Sequence, residues 1–166
     1  MIRAPRAITT FGLGYMRPFP GTWGSLPPCA VAAVLILVDA GPSQAPWIWY
    51  SVLIAFIVYF SAACIRQGEH AEAHFCKKDP SQVVADETAG QAIAFLFVPP
   101  SAISGNLRGL AIVFAAFVLF RLWDILKPWP ISQIQTVPGG WGILLDDILA
   151  GIGAGVMVLV GILLFA

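Results

Sequence analysis

Trp47-Ile48-Trp49-Tyr50-Ser51-Val52-Leu53-Ile54-Ala55-Phe56-Ile57-Val58-Tyr59-Phe60-Ser61-Ala62-Ala63-Cys64-Ile65 is a run of 19 residues without a charge. At 1.5 Å per residue, a helix of that length crosses most of the roughly 30 Å hydrocarbon core of a bilayer. Trp47, Trp49 and Tyr50 gather at its start, where amphipathic rings sit at headgroup level. The stretch therefore decides the class, a membrane protein. Composition agrees: 58% of residues are hydrophobic and 11% charged, against roughly 45–50% and 25% in soluble domains. Mean hydropathy is +0.83. The 166 residues fit a single domain, 1–166.

Working outward, Leu26–Val38 is a shorter apolar run before the turn-rich break Asp39–Pro46. It is a tilted span, a partial span, or the continuation of a helix begun in the polar stretch before it. After the long run, Arg66–Glu87 is polar and partly helical. Thr88–Val98 is a short apolar run stopped by Pro99-Pro100, and Leu110–Leu122 is another. A polar stretch, Trp123–Asp147, then leads into the final span, Ile148–Ala166. The expected fold is all-α: a small polytopic membrane protein of about four to five transmembrane or re-entrant helices with polar cytoplasmic loops.

Charge placement gives the orientation. If the segments alternate with the N-terminus inside, residues 1–25, 66–87 and 121–147 share one face. Of the nine lysines and arginines, only Arg108 falls opposite; of the nine acids, only Asp39 does. The positive-inside bias puts the shared face in the cytoplasm. The first apolar run starts late, after Arg3, Arg6 and Arg17, so the N-terminus is expected to be retained. Zero formal net charge and no basic stripe give no reason to expect a nucleic-acid partner. Cys29, Cys64 and Cys76 are odd in number and lack metal-type spacing, which argues against a disulfide framework.

The chemistry-bearing residues concentrate where apolar runs end. Arg121, Asp124 and Lys127 follow at spacings of three, on one face of a helix that Pro128 and Pro130 terminate. Asp86-Glu87 opens one apolar run and Asp146-Asp147 opens the last. Acids at a helix start also serve as simple dipole complements. Five carboxylates on one face would repel one another unless a cation or shared protons intervened. Hard divalent cations such as Mg²⁺ take such ligands, and Arg121 and Lys127 are then placed to hold a phosphate. Gly151 and Gly155 make a small-xxx-small face for close helix approach.

Pro20-Gly21-Thr22-Trp23-Gly24-Ser25 precedes Pro27-Pro28. Ser25 reads as an N-cap, and the two glycines let backbone N–H groups turn toward an anion; the plainer alternative is an ordinary capped turn. His70 and His74 stand at i, i+4, but Ala71 occupies the place where a metalloprotease carries Glu, so a solvated helical face is the better reading. No Cys is followed six residues on by Arg, and there is no Asp-x-Asp pair or Gly-x-Ser-x-Gly elbow. Phosphate chemistry here would rest on metal and carboxylates.

At these residues the chain resembles the phosphatidylglycerophosphatase A family of small bacterial membrane phosphatases. Four blocks carry the likeness: Phe11-Gly12-x-Gly14 with Pro20-Gly21-Thr22-x-Gly24-Ser25; Asp79-Pro80-Ser81 with Asp86-Glu87-x-x-Gly90; Phe120-Arg121-x-x-Asp124-x-x-Lys127-Pro128-x-Pro130-Ile131; and Gly139-Gly140-x-Gly142-Ile143-x-x-Asp146-Asp147-x-x-Ala150-Gly151. Pro138 stands where a His is expected and Ala85 where a larger residue is usual. The resemblance implies Mg²⁺-dependent hydrolysis of phosphatidylglycerophosphate to phosphatidylglycerol and phosphate, at the cytoplasmic face of the bacterial inner membrane. Asp86, Glu87, Asp124, Asp146 and Asp147 would be the catalytic and metal-binding acids, with Thr22, Ser25, Arg121 and Lys127 on the substrate. The lipid substrate would stay in the bilayer; the sequence does not specify an oligomeric state.

Two other classes share some of these features. An ion-coupled transporter also places ionisable residues near broken helices, but here the charges cluster at one interface and no internal repeat exists. A structural subunit would lack phosphate release altogether. The orientation is checked by thiol labelling in an otherwise cysteine-free chain. Lys78→Cys should label only from the cytoplasmic side; labelling from outside alone would separate the three charged stretches.

Overall fold

The computed structural model describes residues 6–103, 105–129, 131 and 139–165; Arg3, Pro130 and Pro138 of the sequence reading lie outside these. Every regular element among them is helical. After a 3-10 turn at Thr10–Tyr15 come α1 (Pro20–Leu37), α2 (Pro46–Phe75) and α3 (Ala85–Leu96). A second 3-10 turn at Pro100–Ala102 precedes α4 (Asn106–Leu126) and α5 (Gly140–Leu164). Proline opens both α1 and α2, where its fixed φ suits the first helical turn and its missing N–H is no loss. Left-handed residues close α2 at Cys76 and α4 at Lys127. Of these helices α1, α2, α4 and α5 are long and apolar enough to cross a membrane.

α1 begins six residues before the apolar run that Leu26 opens. Ser25 is therefore not an N-cap: it lies inside the helix, fully buried, and its hydroxyl donates to the Gly21 carbonyl at 2.9 Å. Thr22–Ser25 is helix rather than loop, and Pro27 and Pro28 fall in the helix interior instead of its first turn. An interior proline leaves the carbonyl four residues earlier without its N–H. For Pro28 that carbonyl is Gly24, and the Thr88 hydroxyl of α3 donates to it at 2.7 Å. The Thr10 hydroxyl, 2.9 Å from that of Thr88, joins the same buried group.

α3 is the axis of the fold. Its 12 residues extend about 18 Å, well short of a bilayer core. Ala85, Ala89, Gly90, Ala92 and Ala94 are buried, and α1, α2, α4 and α5 all pack on it. Small residues let backbones meet. A Cβ on Gly90 would collide with the Asp147 carbonyl, and one on Gly151 with the Gly90 carbonyl. The Gly151/Gly155 face read from sequence thus receives α3 at Gly151 and the Phe97 ring at Gly155. α2 and α5 cross equally closely, at Gly68 and Gly140.

Away from the polar end, Trp49 meets Phe95 edge to face at 6.2 Å within a core that includes Ile36, Leu53 and Val98. Ser43, in the α1–α2 connection, donates to the Ile103 carbonyl at 2.9 Å, so the two loops at that end are joined. At the opposite end, the N-termini of α1, α3 and α5 meet the C-termini of α2 and α4, and every charged motif of the sequence reading lies there.

The backbone contact gives a stability prediction. Gly151→Val should destabilise the detergent-solubilised protein by about 1–3 kcal/mol or more, the usual range for overpacking. Gly161→Ala, into open space, should be neutral or slightly stabilising. Equal melting temperatures for the two variants would contradict the α3–α5 contact.

Candidate active site

Three helix ends deliver the charged side chains. Asp86 and Glu87 occupy the first turn of α3. Asp146 and Asp147 lie just inside α5, and Arg121 and Asp124 in the last turns of α4, with Lys127 at its cap. Asp86, Asp124, Asp146 and Asp147 are all at most 9% exposed. Burial of this order is rare for acids without compensation.

The five acids divide into two groups. Asp124 and Asp146 have cations of their own: Arg121 Nη1 is 2.5 Å from Asp124 Oδ2, and Lys127 Nζ is 2.5 Å from Asp146 Oδ2. Asp86, Glu87 and Asp147 instead bring carboxylate oxygens within 4.8 Å of one another. Asp86 Oδ1, Glu87 Oε2 and Asp147 Oδ1 are buried with no hydrogen-bond partner among the described residues. Unsatisfied buried oxygens are costly, and a divalent cation fits them: the donor set is all carboxylate, the atoms converge, and hard cations prefer such ligands.

Burial pushes the Asp86 carboxyl well above its usual range, and the neighbouring charges of Glu87 and Asp147 push it further. Burial also carries Glu87 up to about 7, although Asp86 and Arg121 pull the other way. For Lys127 burial opposes the charged form, but the hydrogen bond and charge of Asp146, with Asp147 and Asp124 nearby, outweigh it and hold the ammonium above the ordinary lysine value. Asp79, in the α2–α3 connection, adds a further negative charge close enough to act on Asp146.

α1 closes another side. A Cβ on Gly21 would collide with Glu87 Oε1 and come within 3.0 Å of Arg121 Nη1, so glycine leaves room here for the side-chain ends of the acid and the guanidinium beside the helix N-terminus. The sequence reading gave Gly21 backbone freedom; the structure adds close approach, which no local pattern reveals. Thr22 is half-buried in the same turn. Ser25 sits behind it, its hydroxyl turned back along the helix. His70 and His74 are exposed on α2, His74 lying against Phe75, and neither belongs to the carboxylate group.

The chain is similar to known proteins along nearly its whole length. The family model described as phosphatidylglycerophosphatase A matches residues 7–162. A Bacteroides thetaiotaomicron protein, provisionally named as a phosphatidylinositol-3-phosphatase, is 36% identical over 152 residues, covering 92% of this chain and 89% of the relative. Proteins named phosphatidylglycerophosphatase A from Haemophilus influenzae and Escherichia coli are 32% and 31% identical. Those alignments cover 89% and 91% of this chain, and 82% and 79% of the relatives. No solved structure matches. With the family model covering nearly the whole chain and all four sequence blocks, the chain belongs to the phosphatidylglycerophosphatase A family of phosphoric monoester hydrolases.

Proposed function

We propose that this protein removes the terminal phosphate of phosphatidylglycerophosphate at the cytoplasmic face of the bacterial inner membrane, with Mg²⁺ held by Asp86, Glu87 and Asp147. The observation that carries the reading is the convergence of these three carboxylates, from two helices, with an unpartnered oxygen on each. Two relatives bear the name of this activity. The cytoplasmic assignment rests on the cations, which crowd the site end while Arg108 lies at the other, near the end of α5.

The chain's own groups supply the rest of the chemistry. Arg121 and Lys127 neutralise charge on the phosphoryl oxygens. Asp124 and Asp146 position those two cations through the 2.5 Å contacts. The α1 N-terminus, held close by Gly21, adds positive potential from another side. One carboxylate of the cluster takes the proton of the attacking water. Held by Asp86, Glu87 and Asp147, Mg²⁺ would supply Lewis-acid chemistry toward the phosphoryl group and a lowered pKa for a bound water.

Phosphate release from the purified lipid, with Mg²⁺ and with chelator, tests the reading. Asp86→Asn and Asp147→Asn should insert normally and lose roughly 10²-fold or more in kcat, the scale of one lost electrostatic stabiliser. Lys127→Met should act mainly on substrate binding, and Asp39→Asn, exposed at the far end, should be near-neutral. Near-wild-type hydrolysis by both asparagine variants would sink the metal site.

A pH dependence follows as well. Because Asp86 and Glu87 have raised pKa values, protons compete with a cation for their oxygens, at Glu87 below about 7. Mg²⁺ affinity, measured by calorimetry, should rise as pH climbs from 6 to 8, with protons released on binding. Affinity independent of pH would contradict the raised values.

A further inference from the structure

One apolar cavity lies away from the carboxylates. It measures about 680 Å³, within the roughly 300–1,000 Å³ of small-molecule sites, and is lined by residues including Thr10, Phe11, Pro27, Ala55, Phe56 and Tyr59. It lies between α1 and α2, which touch each other little, beneath the N-terminal 3-10 turn. Its walls are apolar apart from Thr10 and the Tyr59 ring hydroxyl. Both helices are candidate membrane spans, so what surrounds its open side is lipid.

We propose that this cavity is a groove for one acyl chain of the phospholipid substrate, an inference that rests on the lipid-phosphatase reading. Three observations commit it to that occupant. First, the groove and the acidic cluster share α1: Pro27 faces the groove, while Gly21 abuts Glu87 and Arg121. A lipid with its tail between α1 and α2 reaches the cluster by crossing the α1 N-terminus, where an anionic headgroup is favoured. Second, Thr10 joins the two directly. It lines the groove, and its hydroxyl donates to the Val84 carbonyl at 3.2 Å, in the residue that caps α3. Third, the rim is built for an anionic lipid surface. Phe11 and Phe19 are 68% and 72% exposed, Tyr15 and Met16 are exposed too, and Arg6 and Arg17 flank them. Aromatic rings and cations in this combination suit the headgroup layer.

The groove's contribution is orientation. An acyl chain leaving the bilayer for an apolar groove gains little hydrophobic free energy, because lipid is as apolar as the protein wall. What it gains is a fixed position for the phosphoryl group, and misplacement by about 1 Å can cost 10²-fold in rate.

The test combines cross-linking with kinetics. Phosphatidylglycerophosphate carrying a diazirine midway along one acyl chain is photolysed with the protein in nanodiscs and chelator, so that labelling needs no turnover. Labels should map to residues 10–13 and 55–60. Ala55→Trp should cut labelling about tenfold, whereas Ile54→Trp, on a neighbouring exposed position, should not. With Mg²⁺ present, Ala55→Trp should lower kcat/KM for the long-chain lipid about tenfold or more, and leave the deacylated, water-soluble phosphomonoester unchanged. Labels confined to the α4–α5 face, a cross-linked dimer in place of a lipid adduct, or an equal fall on both substrates would overturn the groove. Labelling as expected, without hydrolysis of either substrate by the wild type, would support the groove and count against the phosphatase reading alone.

Discussion

Two helices meeting backbone to backbone hold the site together. At Gly90 and Gly151 no side chain separates α3 from α5, and the carbonyls of Asp147 and Gly90 fill the space that a Cβ would need. In a bilayer, helices gain no hydrophobic energy by associating, so packing at this distance is the main attraction available. The same contact sets Asp147 beside Asp86 and Glu87. A methyl group at either glycine would push the acids of α5 away from those of α3, so the packing of the fold and the geometry of the cluster rest on one interface.

Charge is distributed on that frame unequally. Arg121 and Lys127 each neutralise one acid and are oriented by it. The remaining three carboxylates face one another, and their repulsion is relieved when a cation is bound. Such a cluster opposes the stability of the protein that carries it, since burial and mutual repulsion both disfavour its charged form. Tight small-residue packing around α3 offsets that cost, a common arrangement where a functional site carries strain.

Much of this was legible in the sequence, for identifiable reasons. The uncharged Trp47–Ile65 run gives a span by length alone, and the acids stand out because so few charges exist elsewhere. The start of α1 stays open in the sequence, and Ser25 reads wrongly as its N-cap because Pro27-Pro28 resembles a helix opening. The Gly24 carbonyl that interior Pro28 frees is met by a hydroxyl on Thr88, 64 residues away, and no local pattern contains it. The length of α3 was visible, but its central place was not. Its polar residues Thr88 and Gln91 are buried along with its apolar ones, and a polar side chain inside a helix reads in sequence as a solvent-facing one. Nor could spacing tell which acids pair with cations and which converge, because that depends on how far apart helices settle.

The Thr88 contact also bears on how the protein is made. α1 is the least apolar of the four candidate spans, and its prolines leave it with a backbone acceptor that lipid cannot satisfy. As it leaves the ribosome it is an incomplete guest of the bilayer. The missing donor is synthesised only after the whole of α2 has followed. The first span can gain this partner for its Gly24 carbonyl only once the third helix is made, together with the first two acids of the site.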